Sequence, residues 1–307
     1  MSIQTALANQ PDLMIGNVVG SNTFNVLFIL GVSALITPLV VAQQLIRWDV
    51  PLMIGLSVLV LVFVQDFMLS RTENIILVLG LIAYVIFTVY LSRRESQAVK
   101  AEYEEAFGAS SATARTWPVD LLLIVGGLGA LALGSRWLVD SAVAFAEALG
   151  VSELVIGLTI VAAGTSMPEV ATSVIASIRG ERDIAVGNVV GSNIFNILGV
   201  LGIGGLFASG GVAVSETAVA VDIPVMLAVA AICLPLFFTG SRISRWEGIL
   251  LLGYYVAYTV YLIMSATGNV RLSVFADAML YVVIPATLLV VGVTVVRSLR
   301  QRATYGN

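Results

Sequence analysis

Long apolar runs, separated only by short breaks of Pro, Gly or charge, constrain this chain more than any other feature. They fall at 13 to 38, 50 to 69, 73 to 91, 118 to 139, 153 to 178, 184 to 207, 217 to 239, 246 to 265 and 275 to 296. Each is near the 20 residues or so that a helix needs to cross about 30 Å of hydrocarbon. No water there satisfies exposed N–H and C=O groups, so each run must close its own backbone hydrogen bonds as a helix. The residues are 59% hydrophobic and 11% charged, against about 25% charged in a soluble domain. No soluble fold hides that much apolar surface. The expectation is an all-α polytopic membrane protein of about nine spans, with membrane lipid as a partner.

The polar remainder excludes several functions. Fifteen Lys+Arg against 19 Asp+Glu leave no basic face for nucleic acid. No nucleophile stands beside a base and there is no His or Cys cluster, so the chain reads as a non-enzyme without a cofactor. The single cysteine, Cys233, lies in an apolar run and reads as packing. No protein partner can be inferred. If the spans alternate sides, Arg47, Arg93, Arg94, Lys100, Arg115, Arg179, Arg182, Arg242, Arg245, Arg297, Arg300 and Arg302 gather on one side, against Arg71 and Arg271 on the other. The positive-inside bias then makes the central loop and the C-terminus cytoplasmic, in a membrane of the bacterial inner type. Trp48, Trp117, Trp137 and Trp246 stand at run boundaries, as interface anchors do.

One segment is written twice. Pro11 to Gly31 reads PDLMIGNVVGSNTFNVLFILG and Arg182 to Gly202 reads RDIAVGNVVGSNIFNILGVLG, at an offset of 187 − 16 = 171. The echo continues weakly, with Asp49-Val50-Pro51 against Asp222-Ile223-Pro224 and Tyr90-Leu91 against Tyr261-Leu262. On the span count the first copy runs inward and the second outward. Inverted repeats of this kind hold substrate near the midplane in transporters. At the same offset Met1 falls opposite Thr172, so the chain holds no counterpart of Trp117 to Ala171.

The chemistry concentrates in that unmatched stretch. GLTIVAAGTSMPEVATSVIAS, Gly157 to Ser177, is an apolar helix interrupted by Gly164 and Pro168. Proline removes a backbone donor and glycine relaxes the helix, so a break is expected there. It frees carbonyls near Ala162 and Ala163 and sets Glu169 one turn from Thr165 and Ser166. A carboxylate at mid-membrane costs about 2.5 to 3.5 kcal/mol on insertion scales. No Lys, Arg or His stands in the middle of a neighbouring run, so a bound cation or a proton is the expected partner. Asn188, Ser192 and Asn196 form a polar stripe at i, i+4, i+8, as do Asn17, Ser21 and Asn25. Such oxygens suit hard inorganic cations; the alternative, that they are interhelical hydrogen-bond glue, stays open. Gly16, Gly20, Gly187 and Gly191 read as helix-packing positions.

Together, Gly164-Thr165-Ser166-Met167-Pro168-Glu169 and the doubled GNVVGSN-x-FN resemble the cation/calcium exchanger superfamily, in particular the prokaryotic sodium/calcium exchangers. The resemblance implies a ten-helix inverted-repeat fold with Na⁺ and Ca²⁺ sites at its centre. Glu169 would be the principal Ca²⁺ ligand, with oxygens from Thr165 and Ser166 and the Ala162 carbonyl serving Na⁺. Ser192 and Asn196 would complete that side, Ser21 and Asn25 would come from the other half, and Asn17 and Asn188 would be secondary. Measured against that fold, the first two helices, with a second midplane glutamate, are missing. In addition, Asn196 stands where some relatives carry Asp, and one helix is added at the C-terminus.

The implied organisation is a first repeat at 1–92, N-terminally incomplete, a cytoplasmic linker at 93–117, a second repeat at 118–268 and an additional helix with a cytoplasmic tail at 269–307. Either the reading frame begins further upstream or the chain is a degenerate paralogue. The expected function is Na⁺/Ca²⁺ antiport by alternating access. Ca²⁺/H⁺ exchange and a truncated, non-transporting membrane protein are the alternatives.

Overall fold

The apolar runs fold as helices in the computed structural model, which describes residues 2–94, 117–148, 150–238 and 241–305. Most of the 93–117 linker therefore lies outside the described residues. After a short α1 (Ser2–Leu7) come α2 (Pro11–Ile36), α3 (Leu45–Asp66), α4 (Arg71–Arg94), α5 (Trp117–Ala148), α6 (Glu153–Thr165) and α7 (Met167–Arg179). They are followed by α8 (Arg182–Leu206), α9 (Ala218–Phe238), α10 (Arg245–Ala266) and α11 (Leu272–Arg297). Among the described residues, seven helices are long and apolar enough to cross a membrane, or eight if α6 and α7, bent by 47°, count as one span. The ninth expected span, 118–139, lies within the 32-residue α5.

Burial sorts the helices into a centre and a rim. The two helices carrying the doubled motif are the innermost spans: their most apolar 18-residue stretches are 78% buried in α2 and 61% buried in α8, against 6% in α11. Their Asn and Ser residues have no water to turn to and must find partners in protein, which draws them inward. Around them the halves interlock. The outer helix of each repeat packs on the motif helix of the other, α10 on α2 and α4 on α8, while α3 lies against α9. Close approach at Gly31 and Gly202 sets these contacts: a Cβ on Gly31 would meet Leu252 at 2.7 Å, and one on Gly202 would meet Leu77 at 2.9 Å.

Two short antiparallel ribbons repeat the exchange in the connecting loops. β1 (Leu39–Val40) pairs with β4 (Arg242–Ile243), and β2 (Met68–Leu69) pairs with β3 (Val212–Ala213). Each ribbon thus joins one half to the other. Local signals set the helix ends. Ser244 and Glu247 form a capping box at the start of α10, and the Ser70 N–H donates to Glu73 Oε2 (2.7 Å) at the start of α4. At the end of α7, Gly180 takes a left-handed φ of 82° that only glycine adopts without cost. The Glu181 N–H then donates to the Ala176 carbonyl at 2.9 Å, closing the helix.

The repeat register also becomes explicit. The Tyr84 hydroxyl donates to Asp49 Oδ1 (3.1 Å) and the Tyr258 hydroxyl to Asp222 Oδ1 (2.9 Å). The offsets are therefore 222 − 49 = 173 and 258 − 84 = 174. At 174, Tyr90 falls opposite Met264, so the weak Tyr90/Tyr261 echo is out of register, because the connecting loops of the second half are longer. Asp222 and Glu247, which stand near the ends of apolar runs, are buried, at 1% and 3% exposure. Hydrogen bonds to Tyr258 and Ser244 take the place of water there.

Candidate cation-binding site

The broken helix forms as its residues dictate. α6 runs through a π-helical turn at Gly157–Val161 and ends at Thr165; Ser166 leaves helical geometry at φ −90°, ψ 5°; and α7 restarts at Met167 with Pro168 in its first turn. Proline fits a first turn because its missing N–H has no acceptor there anyway. Glu169 lies in the same first turn, where the N-terminal end of the helix dipole favours an anion.

Two groups of predicted residues converge on the break. On one side the α2 stripe meets the end of α6. The Thr165 hydroxyl lies 2.8 Å from Asn17 Oδ1 and 2.9 Å from the Val161 carbonyl, either of which takes its proton. Ser21 Oγ is 3.4 Å from both Thr165 Oγ1 and the Ala162 carbonyl. On the other side the α8 stripe meets α7. Ser192 Oγ donates to Glu169 Oε1 (2.9 Å), and Asn188 Nδ2 donates to the Glu169 carbonyl (3.3 Å) and to Ser173 Oγ (3.0 Å). Ser166 is buried between the two groups in sequence. Glu169 Oε2 is buried and has no hydrogen-bond partner.

The last residue of each stripe, Asn25 and Asn196, begins a π-helical turn, Asn25–Ile29 in α2 and Asn196–Leu201 in α8. Inserting one residue per turn in this way shifts the helix face, and such bulges recur at functional sites. Neither asparagine bonds to α6 or α7. Asn25 Nδ2 donates to Asn193 Oδ1 (3.0 Å) and Asn196 Nδ2 to Asn22 Oδ1 (3.0 Å). Asn25 Oδ1 is buried without a partner. Asn22 and Asn193 were not among the residues singled out from the sequence, although both stand inside the doubled motif. Their position, one residue after the stripe serine, turns them from the stripe toward the opposite repeat.

The motif glycines divide. A Cβ on Gly16 would lie 2.8 Å from the Leu154 carbonyl oxygen and one on Gly20 2.5 Å from the Leu158 carbonyl oxygen, so α2 and α6 approach at backbone distance. Gly157 faces Gly16 across that contact at 3.0 Å. Packing was expected at Gly187 and Gly191 as well, but a Cβ there meets nothing within 4 Å.

What the site can do follows from its donors. It offers hydroxyl, amide and carbonyl oxygens and one carboxylate, and among the described residues the single ion pair is the exposed Arg136–Asp140 contact, away from Glu169. Nothing in this set is soft enough to prefer a thiolate-type metal, and nothing is arranged for covalent catalysis. Oxygen ligands with little charge suit hard cations that must also be released.

Comparison with known proteins agrees with this chemistry. The family described as "Sodium/calcium exchanger protein" matches residues 1–93 and 119–264. The putative antiporter CaxA of Alkalimonas amylolytica is 36% identical over 271 residues, covering 87% of this chain and 83% of that protein. The sodium/calcium exchanger MaX1 of Methanosarcina acetivorans is 34% identical over 292 residues, covering 85% and 83%. The inner membrane protein YrbG of Escherichia coli K12 is 36% identical over 260 residues, covering 84% and 79%. Among solved structures, the sodium-calcium exchanger NCX_Mj soaked with Na⁺ and Sr²⁺ superimposes with a TM-score of 0.65 at 30% identity, over 83% of this chain and 78% of that one. With its helices, inverted repeat and matching profile in agreement, this integral membrane protein belongs to the sodium/calcium exchanger family and is a transporter, not an enzyme.

Proposed function

We propose that the chain is a secondary antiporter that exchanges Na⁺ for Ca²⁺ by alternating access, with Glu169 as the principal Ca²⁺ ligand. The observation that carries this reading is Glu169 itself. One carboxylate oxygen is held by Ser192 and the other is buried with no protein partner, beside a helix break lined with Thr165, Ser21 and the Ala162 carbonyl. A carboxylate at that depth demands a counter-charge, and among the described residues no basic side chain supplies one. Neutral oxygens from Ser21, Asn25, Ser192 and Asn196 extend the site on both motif helices. Their number, and the absence of histidine from the chain, favour Na⁺ over protons as the coupling ion. The arginine distribution supports a cytoplasmic central linker and C-terminus.

The test is Na⁺-gradient-driven ⁴⁵Ca²⁺ uptake into liposomes reconstituted with this chain. Wild type is expected to show uptake and Glu169→Gln to fall to the protein-free background. Undiminished uptake by Glu169→Gln would sink the assignment. Uptake driven by a pH gradient in Na⁺-free buffer would transfer the coupling to protons.

A further inference from the structure

Asn22 and Asn193 occupy the same place in the two copies of the motif, since 193 − 22 = 171, and they meet across the approximate two-fold axis that relates the repeats. Both are buried, at 2% and 1% exposure. Asn22 Nδ2 donates to the Asn193 carbonyl (3.3 Å), and Asn193 Nδ2 donates to the Asn22 carbonyl (3.2 Å). The same nitrogens reach the sulfurs of Met226 (3.6 Å) and Met53 (3.5 Å), which are themselves repeat equivalents on α9 and α3. An amide nitrogen has two protons, and here both are committed. Each Oδ1 is then left as a pure acceptor. It receives the amide of the other repeat's final stripe residue: Asn193 Oδ1 takes Asn25 Nδ2 and Asn22 Oδ1 takes Asn196 Nδ2, both at 3.0 Å.

The consequence falls on Asn25 and Asn196. An asparagine amide has nearly the same shape either way round, but its two ends have opposite chemistry: the oxygen attracts a cation and the NH₂ repels it. With Asn25 Nδ2 bound to Asn193, its Oδ1 is the end left over. That oxygen is the buried atom without a partner, on a residue 1% exposed. Turning the Asn25 amide round would bring Oδ1 against Asn193 Oδ1, two acceptors with no proton between them. We infer that Asn22 and Asn193 are positioning residues: each fixes the amide of the opposite repeat's site asparagine so that its carbonyl oxygen, not its NH₂, is presented to the transported cation. This rests on the reading of Asn25 as a cation ligand. It adds a role for two residues that do not themselves touch the ion. It also gives the reciprocal motif a function beyond adhesion, because each repeat completes the ligand orientation of the other.

The experiment is a Ca²⁺ titration of the purified full chain in detergent, read as the Ca²⁺ concentration for half-maximal thermal stabilisation. Asn193→Ala is expected to weaken Ca²⁺ about 10- to 100-fold, as loss of a ligand-orienting partner does, and to have no further effect in an Asn25→Ala background, because it acts through Asn25. Asn193→Asp keeps the Oδ1 acceptor and is expected to bring the response back. An Asn193→Ala effect of the same size in the Asn25→Ala background overturns the inference, since a packing role alone would act independently of Asn25. So does an Asn25→Ala variant that weakens Ca²⁺ while Asn193→Ala leaves it unchanged. Should Asn193→Ala fail to fold, Asn193→Asp decides alone: Ca²⁺ response retained supports the inference, and a loss as large as that of Asn25→Ala overturns it. A wild-type chain that shows no Ca²⁺ response, or an Asn25→Ala variant that titrates as wild type, overturns the site reading first and this inference with it.

Discussion

Gly20 and Gly191 stand in the same word of sequence, GNVVGSN, and meet opposite surroundings. Gly20 is pressed against the backbone of α6, whereas Gly191 has nothing within 4 Å of where a Cβ would stand. The same contrast runs through the stripes. Asn17 and Ser21 reach Thr165 and Ala162 on α6, while Asn188 and Ser192 reach Glu169 and Ser173 on α7. A single broken helix pair thus serves both motif helices, one on each side of the break. Identical chemistry in two copies does not make a symmetric site when the two motif helices meet opposite sides of the same bent helix pair. Within the site, what survives as symmetry is the part that pairs the motif helices with each other, the Asn22/Asn193 contact.

Three sets of substitutions break or sharpen that comparison. The largest expected effect separates the glycines. Gly20→Ala forces a Cβ into the Leu158 backbone, which cannot swing aside as a side chain would, and is expected to cost about 3 kcal/mol of stability. Gly191→Ala is expected to be neutral or to stabilise by up to about 1 kcal/mol, the gain of alanine over glycine in a helix interior. Equal melting temperatures for the two variants would erase the contrast.

The tyrosine–aspartate pairs come next. Asp222 is buried and its Oδ2 already has no partner, so Tyr258→Phe leaves a buried carboxyl without any hydrogen bond and is expected to cost about 2 kcal/mol. Asp49 and Tyr84 line a cleft that opens to the surface beside Trp48 and Phe87, and Tyr84→Phe is expected to cost about 0.5 kcal/mol. A larger melting shift for Tyr84→Phe would reverse the assignment of inner and outer pair. The smallest expected difference between the halves is that of a symmetric control. Ser70→Ala and Ser244→Ala each remove a helix cap and are expected to cost about 1 kcal/mol apiece. A gap between them as wide as that between the two glycine variants would mean that the halves differ in general stability, and that local contacts do not explain the glycine result.

The clefts explain part of what the sequence could not say. Gly80 lines the opening beside Asp49, and its repeat equivalent is Tyr254, since 254 − 80 = 174. Tyr254 donates its hydroxyl to Thr287 on α11 at 2.7 Å. The C-terminal helix α11 is therefore anchored at the place equivalent to the opening in the first half. Neither residue belongs to a motif, and no periodicity in α4 or α10 announces the difference. Asp222 illustrates the same limit. It stands near the end of an apolar run, where water is close at hand, and only the packing of α9 against α10 shows it enclosed.

Much of the fold and a good part of the site were legible from residues alone. Apolar runs of membrane length dictate helices, because a bilayer offers the backbone no other partner. Pro168 and Gly164 dictate the break, and the doubled motif dictates an inverted repeat with paired polar stripes. These are local properties, written in the order of neighbouring residues. Tertiary structure alone decided which copies touch: that Asn22 meets Asn193, that Gly20 is closed and Gly191 open, and that Asn25 turns its oxygen away from its own hydrogen bond. Contacts between residues about 170 positions apart depend on how helices lie against one another, and two identical segments acquire different roles when the elements beside them differ.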